Sequence, residues 1–450
     1  MTEALFPRSF RKACAQAVRG SGCYLYTAGG EEFLDAAGGA AVVTIGHGVK
    51  EVARAMAKQA EELAYVHSSQ FTAPVAEKLA EQLLALAPPN FRHGGRVYFT
   101  SGGSEATETA LKLCRQYFLE RGALKRVRIV SRKQSYHGST LGALSVSGNV
   151  RRRAPYAPML HEWGHISPCF CYRCPLGLKY PSCNVACADE LEHLLHSPAD
   201  ETVAGFICEP VVGATLGAAA PPDGYLQRIA EICRHHGILL IADEVMSGMG
   251  RTGKVFACEH WGVEPDIILV GKGVASGYAP LGAFLVTRHV AETIAKGSGV
   301  FLHGFTYNAH PVSTAAGLAV LEIIERDKLF ERVAPMGRTL MAALETLKQF
   351  PIVGDIRGMG LFVGIEFVRD RATREPFPRA ANIAGRVAQA AFEAGVVTYP
   401  GQGCVDGELG DSLLIAPPFI IREKEIQLIV SALERAIKTV GDGTPDSSGR

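Results

Sequence analysis

The sequence predicts an α/β fold: a mainly parallel sheet in a large domain, then a smaller α+β domain. Three observations carry this expectation. Short apolar segments alternate with helical stretches as far as Val286, and such alternation builds parallel sheets covered by helices on both faces. After Thr306 the pattern changes to long amphipathic helices with few strands between them. The chain has 450 residues, enough for two hydrophobic cores.

Taken in order, "GCYLYTAGGEEFLDAAGG" alternates apolar and polar residues around a Gly-Gly turn, which predicts a hairpin. From about Glu51 to Leu86 the pattern is Ala-rich and helical. Six strands follow: "RVYFT", "VRIVS", "AGFICEP", "ILLIADEV", "DIILVG" and "GAFLV". The stretch "STAAGLAVLEIIERDKL" predicts a long helix, with another helix after it. Then come "GMGLFVGIEFV" as a strand, "AANIAGRVAQAAFEAGV" as a helix and "REKEIQLIVSALERAIKTV" as the last helix. The polar tail "GDGTPDSSGR" is expected to be disordered. The expected division is residues 1–60 packing with the small domain, 61–305 as the large domain and 306–450 as the small C-terminal domain.

Composition excludes several functions. Lys plus Arg number 46 against 45 Asp plus Glu, a net charge of +1, so no bulk field draws the chain to nucleic acid or an anionic membrane. No apolar run is long enough to span a bilayer. The first twenty residues lack the apolar core of a signal peptide, so the expectation is a cytoplasmic protein with reduced thiols.

Ligands of open α/β sheets bind beyond the carboxyl ends of the strands, and four sequence features fall there. "VYFTSGGSEATETALK" runs a strand through Ser-Gly-Gly-Ser into a helix. Gly103 and Ser104 could offer free N–H groups to a phosphate, or form an ordinary helix start. Asp243 ends the apolar strand "ILLIADEV"; it needs a cationic partner or several donors, and a structural cap satisfies that equally. Lys272 follows "DIILVG" between two glycines. A desolvated lysine is a nucleophilic amine, while a surface lysine covering apolar atoms is the plain alternative. Tyr136 and His137 follow "VRIVS" in a turn of small residues, where an aromatic stacks on a flat ligand or packs in the core. Together, a phosphate cradle, a carboxylate, an amine and an aromatic suit a phosphorylated aromatic aldehyde. The carboxylate would keep a pyridine nitrogen protonated, and the lysine would hold the aldehyde as an imine.

These segments, with "EPVVG", "GFTYNAHPVSTAAGLAVLEII" and "APPFII", resemble the class III aminotransferases, which depend on pyridoxal 5'-phosphate (PLP) and have fold type I. The resemblance covers nearly the whole chain. It implies a seven-stranded, mainly parallel sheet and a homodimer, alone or paired into a tetramer, with the active site at the subunit interface. Lys272 would be the Schiff-base lysine, Asp243 the partner of the pyridine nitrogen, and Val245 and Tyr136 the two ring walls. Gly103 and Ser104 would hold the phosphate together with Thr306 of the neighbouring subunit. Glu209 would orient the site, and His137 would pack rather than act. The reaction implied is ping-pong transfer of an amino group from a donor to a keto acid acceptor; a decarboxylase, epimerase or aminomutase on the same scaffold is the alternative.

Departures from the family pattern bear on substrate. Many members carry an arginine before the final "APP" strand, a bidentate grip for the substrate carboxylate. Here "TYPGQGCVDGELGDSLLIAPP" has no Arg or Lys, and the aligned position is near Gly407. Ala214 stands where ornithine-type members have a glutamate, and Ala41 stands where some amine-accepting relatives have a tryptophan. The expected donor is therefore a primary amine, a β- or ω-amino acid, or a thioester-masked amino acid, with pyruvate or 2-oxoglutarate as acceptor. An alternative stays open: an arginine of the run Arg151 to Arg153 does the gripping.

The stretch "CFCYRCPLGLKYPSCNVACADELE" holds Cys169, Cys171, Cys174, Cys183 and Cys187. Two pairs have near-ligand spacing, so a structural zinc is one reading. Unligated thiols, or a disulfide formed on oxidation, is the default, and no metal ligand is assigned.

Overall fold

The computed structural model describes residues 4–10, 14–196 and 200–442. Its centre is a seven-stranded sheet in the order Arg96–Thr100, Gly282–Val286, Ile267–Val270, Leu239–Asp243, Val203–Cys208, Arg128–Arg132, His165–Ile166. Gly282–Val286 runs antiparallel to both neighbours, and the other pairs are parallel. The central strands are buried along their whole length, which is why they read as unbroken apolar runs. Side chains alternate between the faces. Leu239 and Ile241 pack with Leu113, Cys114 and Phe118 of helix Gly103–Glu120. Leu240 and Ala242 pack on the other face with Ile229 and Cys233 of helix Tyr225–His235. Truncating a side chain such as Ile241 to alanine would cost about 2–5 kcal/mol.

A second core joins the two ends of the chain. Cys23, Leu34, Ile45 and Val52 pack in one cluster with Val320, Val363, Leu413 and Leu433. Around it lie the antiparallel sheet Val353–Gly358, Val363–Phe367, Asp411–Ile415, Tyr399–Gln402 and the helices Pro311–Arg326, Leu329–Glu345, Ile383–Glu393 and Glu423–Asp442.

Local differences from the sequence reading have physical causes. The predicted hairpin is Tyr24–Thr27 with Glu32–Asp35, and it gains the strands Ala17–Ser21 and Val396–Val397. The helical run from Glu51 to Leu86 is two helices, Lys50–Glu62 and Pro74–Leu86. Pro74 sits in the first turn of the second helix and holds Ala73 extended, at φ −121° and ψ 130°. The edge strand His165–Ile166 is two residues long, too short to leave a pattern. Of the tail, Gly441 and Asp442 end the last helix, and the remainder lies outside the described residues.

Candidate active site

Five strands deliver residues to one end of the large sheet. Gly103 and Ser104 follow Arg96–Thr100; Tyr136, His137 and Gly138 follow Arg128–Arg132. Glu209 follows Val203–Cys208, Asp243 closes Leu239–Asp243, and Lys272 lies just past Ile267–Val270. All of them line one cavity of about 190 Å³. Val245, Ala214 and Arg152 line it as well.

Asp243 is held from two sides. The Val245 N–H donates to Oδ1 at 3.1 Å, and His137 Nδ1 lies 2.7 Å from Oδ2. His137 therefore does more than pack. Its own backbone N–H donates to Ser147 Oγ at 2.8 Å, which fixes the turn. Glu209 accepts from the Tyr136 N–H at 3.0 Å, and its Oε2 lies 3.5 Å from Arg132 Nη2 and 3.8 Å from His137 Nε2. The carboxylates, the imidazole and the arginine thus form one buried network, costly to leave half-satisfied.

Lys272 adopts φ +44°, a left-handed conformation seldom taken by residues with a side chain. Gly271, in extended backbone, precedes it. Burial brings its ammonium down to about 8; the nearby Asp243 charge pulls upward, while Arg152 and Arg251 add to the lowering. Near neutrality an appreciable fraction is therefore free amine, which is what imine formation needs.

Helix Gly103–Glu120 has Gly102 at its N-cap and so no capping side chain. Its first turn faces the cavity through Gly103 and Ser104. Ser104 Oγ accepts from the Ser139 N–H at 3.0 Å, and Ser139 Oγ lies 2.7 Å from the Tyr136 hydroxyl. Gly138 has φ +142°, and a Cβ there would come within 2.6 Å of Ser104 Oγ. A Cβ on Gly103 would sit 2.9 Å from Val245 Cγ1. The floor is therefore bare backbone against the Val245 wall. An amine, a carboxylate, a flat aromatic wall and an uncapped helix end fit a planar ring bearing an aldehyde and a phosphate. Two buried polar atoms of the lining residues, His137 Nε2 and Thr215 Oγ1, have no hydrogen-bond partner among the described residues.

Other expected positions lie apart. Ala41 is buried and does not line the cavity. Thr306 is exposed in the single chain, and its carbonyl accepts from the Tyr65 hydroxyl at 3.0 Å. Gly407 has φ +98° and packs on Val150, next to Arg151 and Arg152. Sequence reasoning missed Gly138, Gly213, Thr215 and Met246 as lining residues; Gly213, which closes "EPVVG", and Gly138, which follows His137 in its turn of small residues, carried a signal. Cys171, Cys174, Cys183 and Cys187 surround a separate small cavity. Among the described residues, the His, Cys, Asp and Glu donor atoms that converge within 4.8 Å in a group of three are those of Glu192, His196 and His236.

Comparisons with known proteins give the family. The profile of the family described as Aminotransferase class-III matches residues 6–437. An aminotransferase of Schizosaccharomyces pombe is 43% identical over 431 residues, covering 95% of this chain and 93% of that one. An adenosylmethionine-8-amino-7-oxononanoate aminotransferase of Geobacter sulfurreducens is 35% identical over 430 residues, covering 95% and 92%. The crystal structure of an (S)-enantioselective omega-transaminase from Thermomicrobium roseum superposes with a TM-score of 0.90 at 36% identity, covering 97% and 96%. The chain belongs to the class III aminotransferases and has the fold type I architecture of PLP-dependent transaminases.

Proposed function

We propose that this aminotransferase uses pyridoxal 5'-phosphate to move an amino group from an amine or a β- or ω-amino compound to pyruvate or 2-oxoglutarate, with ping-pong kinetics. The observation that carries the reading is the meeting of Lys272, Asp243 and the uncapped start of helix Gly103–Glu120 at one cavity. The bound cofactor supplies a protonated ring that draws electrons from the substrate carbon. Asp243, oriented by His137 and the Val245 N–H, would hold the ring nitrogen protonated. Val245 and Tyr136 take the two faces of the ring. Gly103 and Ser104 take the phosphate, joined by Thr306 from the second copy of a homodimer. Lys272 Nζ would hold the aldehyde and would carry a proton to and from the substrate carbon. The donor leaves as a carbonyl compound with uptake of one water; the acceptor half runs the same exchange in reverse. Small residues at Gly213 and Ala214 and a loop without Arg or Lys before the "APP" strand favour a donor without an α-carboxylate.

The test is an absorbance spectrum of the PLP-loaded protein before and after adding one donor, with no keto acid present. A simple arylalkyl amine, a β-amino acid and an ω-amino acid should each convert the cofactor to its aminated form, and Lys272→Ala should show no conversion. Conversion by an α-amino acid alone would overturn the donor assignment. No conversion with any donor would overturn the transfer itself.

A further inference from the structure

We infer that Arg152 binds the carboxylate of the keto acid in the acceptor half-reaction, an assignment that rests on the aminotransferase reading above. Arg151, Arg152 and Arg153 lie in one short helical turn, Val150–Arg153, yet they have different surroundings. The Arg151 guanidinium donates to Gln402 Oε1 at 3.2 Å. Arg153 donates to the carbonyls of Leu144, Ser145 and Ser147 and pairs with Glu162. The Arg152 guanidinium alone of the three has no hydrogen-bond or carboxylate partner among the described residues. It lies 4.1 Å over the Tyr136 ring centroid and lines the cavity that contains Lys272 and Asp243. Its turn is fixed, because the Asn149 side chain accepts from the Arg152 backbone N–H at 3.0 Å.

The hairpin loop before the "APP" strand explains why a grip would be here. Gly407, near the position that aligns with the arginine of many family members, has φ +98°. A Cβ at Gly407 would come within 2.8 Å of Val150 Cγ2. A side chain is therefore excluded at Gly407 by the very turn that carries Arg152, and the Arg151–Gln402 bond ties loop and turn together.

A planar guanidinium with paired N–H groups matches a planar carboxylate. When an uncharged amine occupies the cavity, the guanidinium remains on the Tyr136 face, a favourable cation–π position. One site can then serve a donor without a carboxylate and an acceptor with one.

The test compares PLP-loaded wild type with Arg152→Gln and Arg152→Lys. Pyruvate is titrated against the aminated enzyme, an arylalkyl amine against the resting enzyme, and oxamate, an unreactive pyruvate isostere, by calorimetry. For Arg152→Gln the pyruvate KM and the oxamate Kd should both rise roughly 10- to 100-fold, the loss of a charge-assisted hydrogen-bonded pair. The amine half-reaction should change by no more than about threefold. Arg152→Lys, which keeps the charge without the fork, should fall between the two. Unchanged pyruvate and oxamate constants in Arg152→Gln overturn the assignment. So does an equal loss in both half-reactions, which would make Arg152 a support for the cofactor or the fold. A wild type that no donor aminates removes the aminotransferase reading, and this assignment with it, before any variant is made.

Discussion

His137 Nδ1 lies 2.7 Å from Asp243 Oδ2, and both side chains are buried. The pair spans two strand ends 106 residues apart in sequence. It aims a carboxylate that the backbone alone holds only through the Val245 N–H. His137→Leu would leave that carboxylate short of a buried partner, at about 1–3 kcal/mol. The expected outcome is a PLP dissociation constant raised roughly tenfold or more, read by equilibrium dialysis. His137→Asn, whose side-chain amide can still reach Oδ2, should recover part of the loss. Equal affinity in His137→Leu and wild type would show that the pair does not orient Asp243.

Lys272 predicts a pH dependence. Burial brings the amine to about 8, well below an exposed lysine. The free amine is the reactive form, so its fraction grows as pH rises through about 8. The rate at which cofactor-free enzyme takes up PLP covalently should rise with a midpoint near 8, and Lys272→Ala should show no covalent uptake. A midpoint near that of an exposed lysine, about 10.4, would mean the amine is not desolvated in solution.

Gly138 predicts a steric effect on the phosphate cradle. Its φ of +142° strains any residue with a side chain, and a Cβ would meet Ser104 Oγ at 2.6 Å and Ala143 Cβ at 2.8 Å. Gly138→Ala should cost about 1–3 kcal/mol of stability in urea unfolding. It should also weaken PLP binding, because Ser104 must move. Full stability with full affinity would show that the turn relaxes without disturbing the helix start.

How much of this was legible follows from the length scale of each feature. Asp243 and Lys272 could be found because each breaks or closes a fully apolar strand, and a parallel sheet carries such breaks to one edge. Gly103 and Ser104 could be found because a strand–glycine–helix junction is local. The His137–Asp243 pair joins distant segments, so no local pattern marked it. Arg152 was one of three adjacent arginines, and only the fold separates Arg153, spent on carbonyls, from Arg152, left facing the cavity. The break after Glu62 was hidden by Ala-rich composition, which favours helix on both sides of it.

Cys171 predicts a reactivity pattern in the cysteine-rich loop. A hydrogen bond from Cys169 stabilises its thiolate and brings it to about 7, against the opposing effect of partial burial. Cys171 is also exposed. Alkylation by iodoacetamide, mapped by mass spectrometry, should rise with pH through about 7 at Cys171. It should reach Cys171 before Cys14, which is exposed as well. Cys169→Ala removes the donor and should move the midpoint up toward about 8.5. A Cys171 midpoint that Cys169→Ala does not move would show that the two thiols do not share a hydrogen bond.

Glu244 predicts a slope of stability with pH. It follows Asp243 but turns away from the cavity into the core. Ser247 Oγ donates to Oε2 at 2.6 Å, and the Cys258 N–H donates to Oε1 at 2.8 Å. Burial raises its carboxyl to about 7 in spite of these bonds. The unfolded chain has the ordinary carboxyl, so between about 4.3 and 7 the folded state binds more protons than the unfolded one. Stability from this group is therefore full below the unfolded value and falls as pH rises to about 7. Glu244→Gln keeps the hydrogen-bonding shape and cannot ionise. Its unfolding free energy, measured against wild type in urea, should be close to wild type near pH 4.5. It should exceed wild type by up to about 4 kcal/mol at pH 8. A constant difference between the two proteins across that range would place the ionisation of Glu244 outside it.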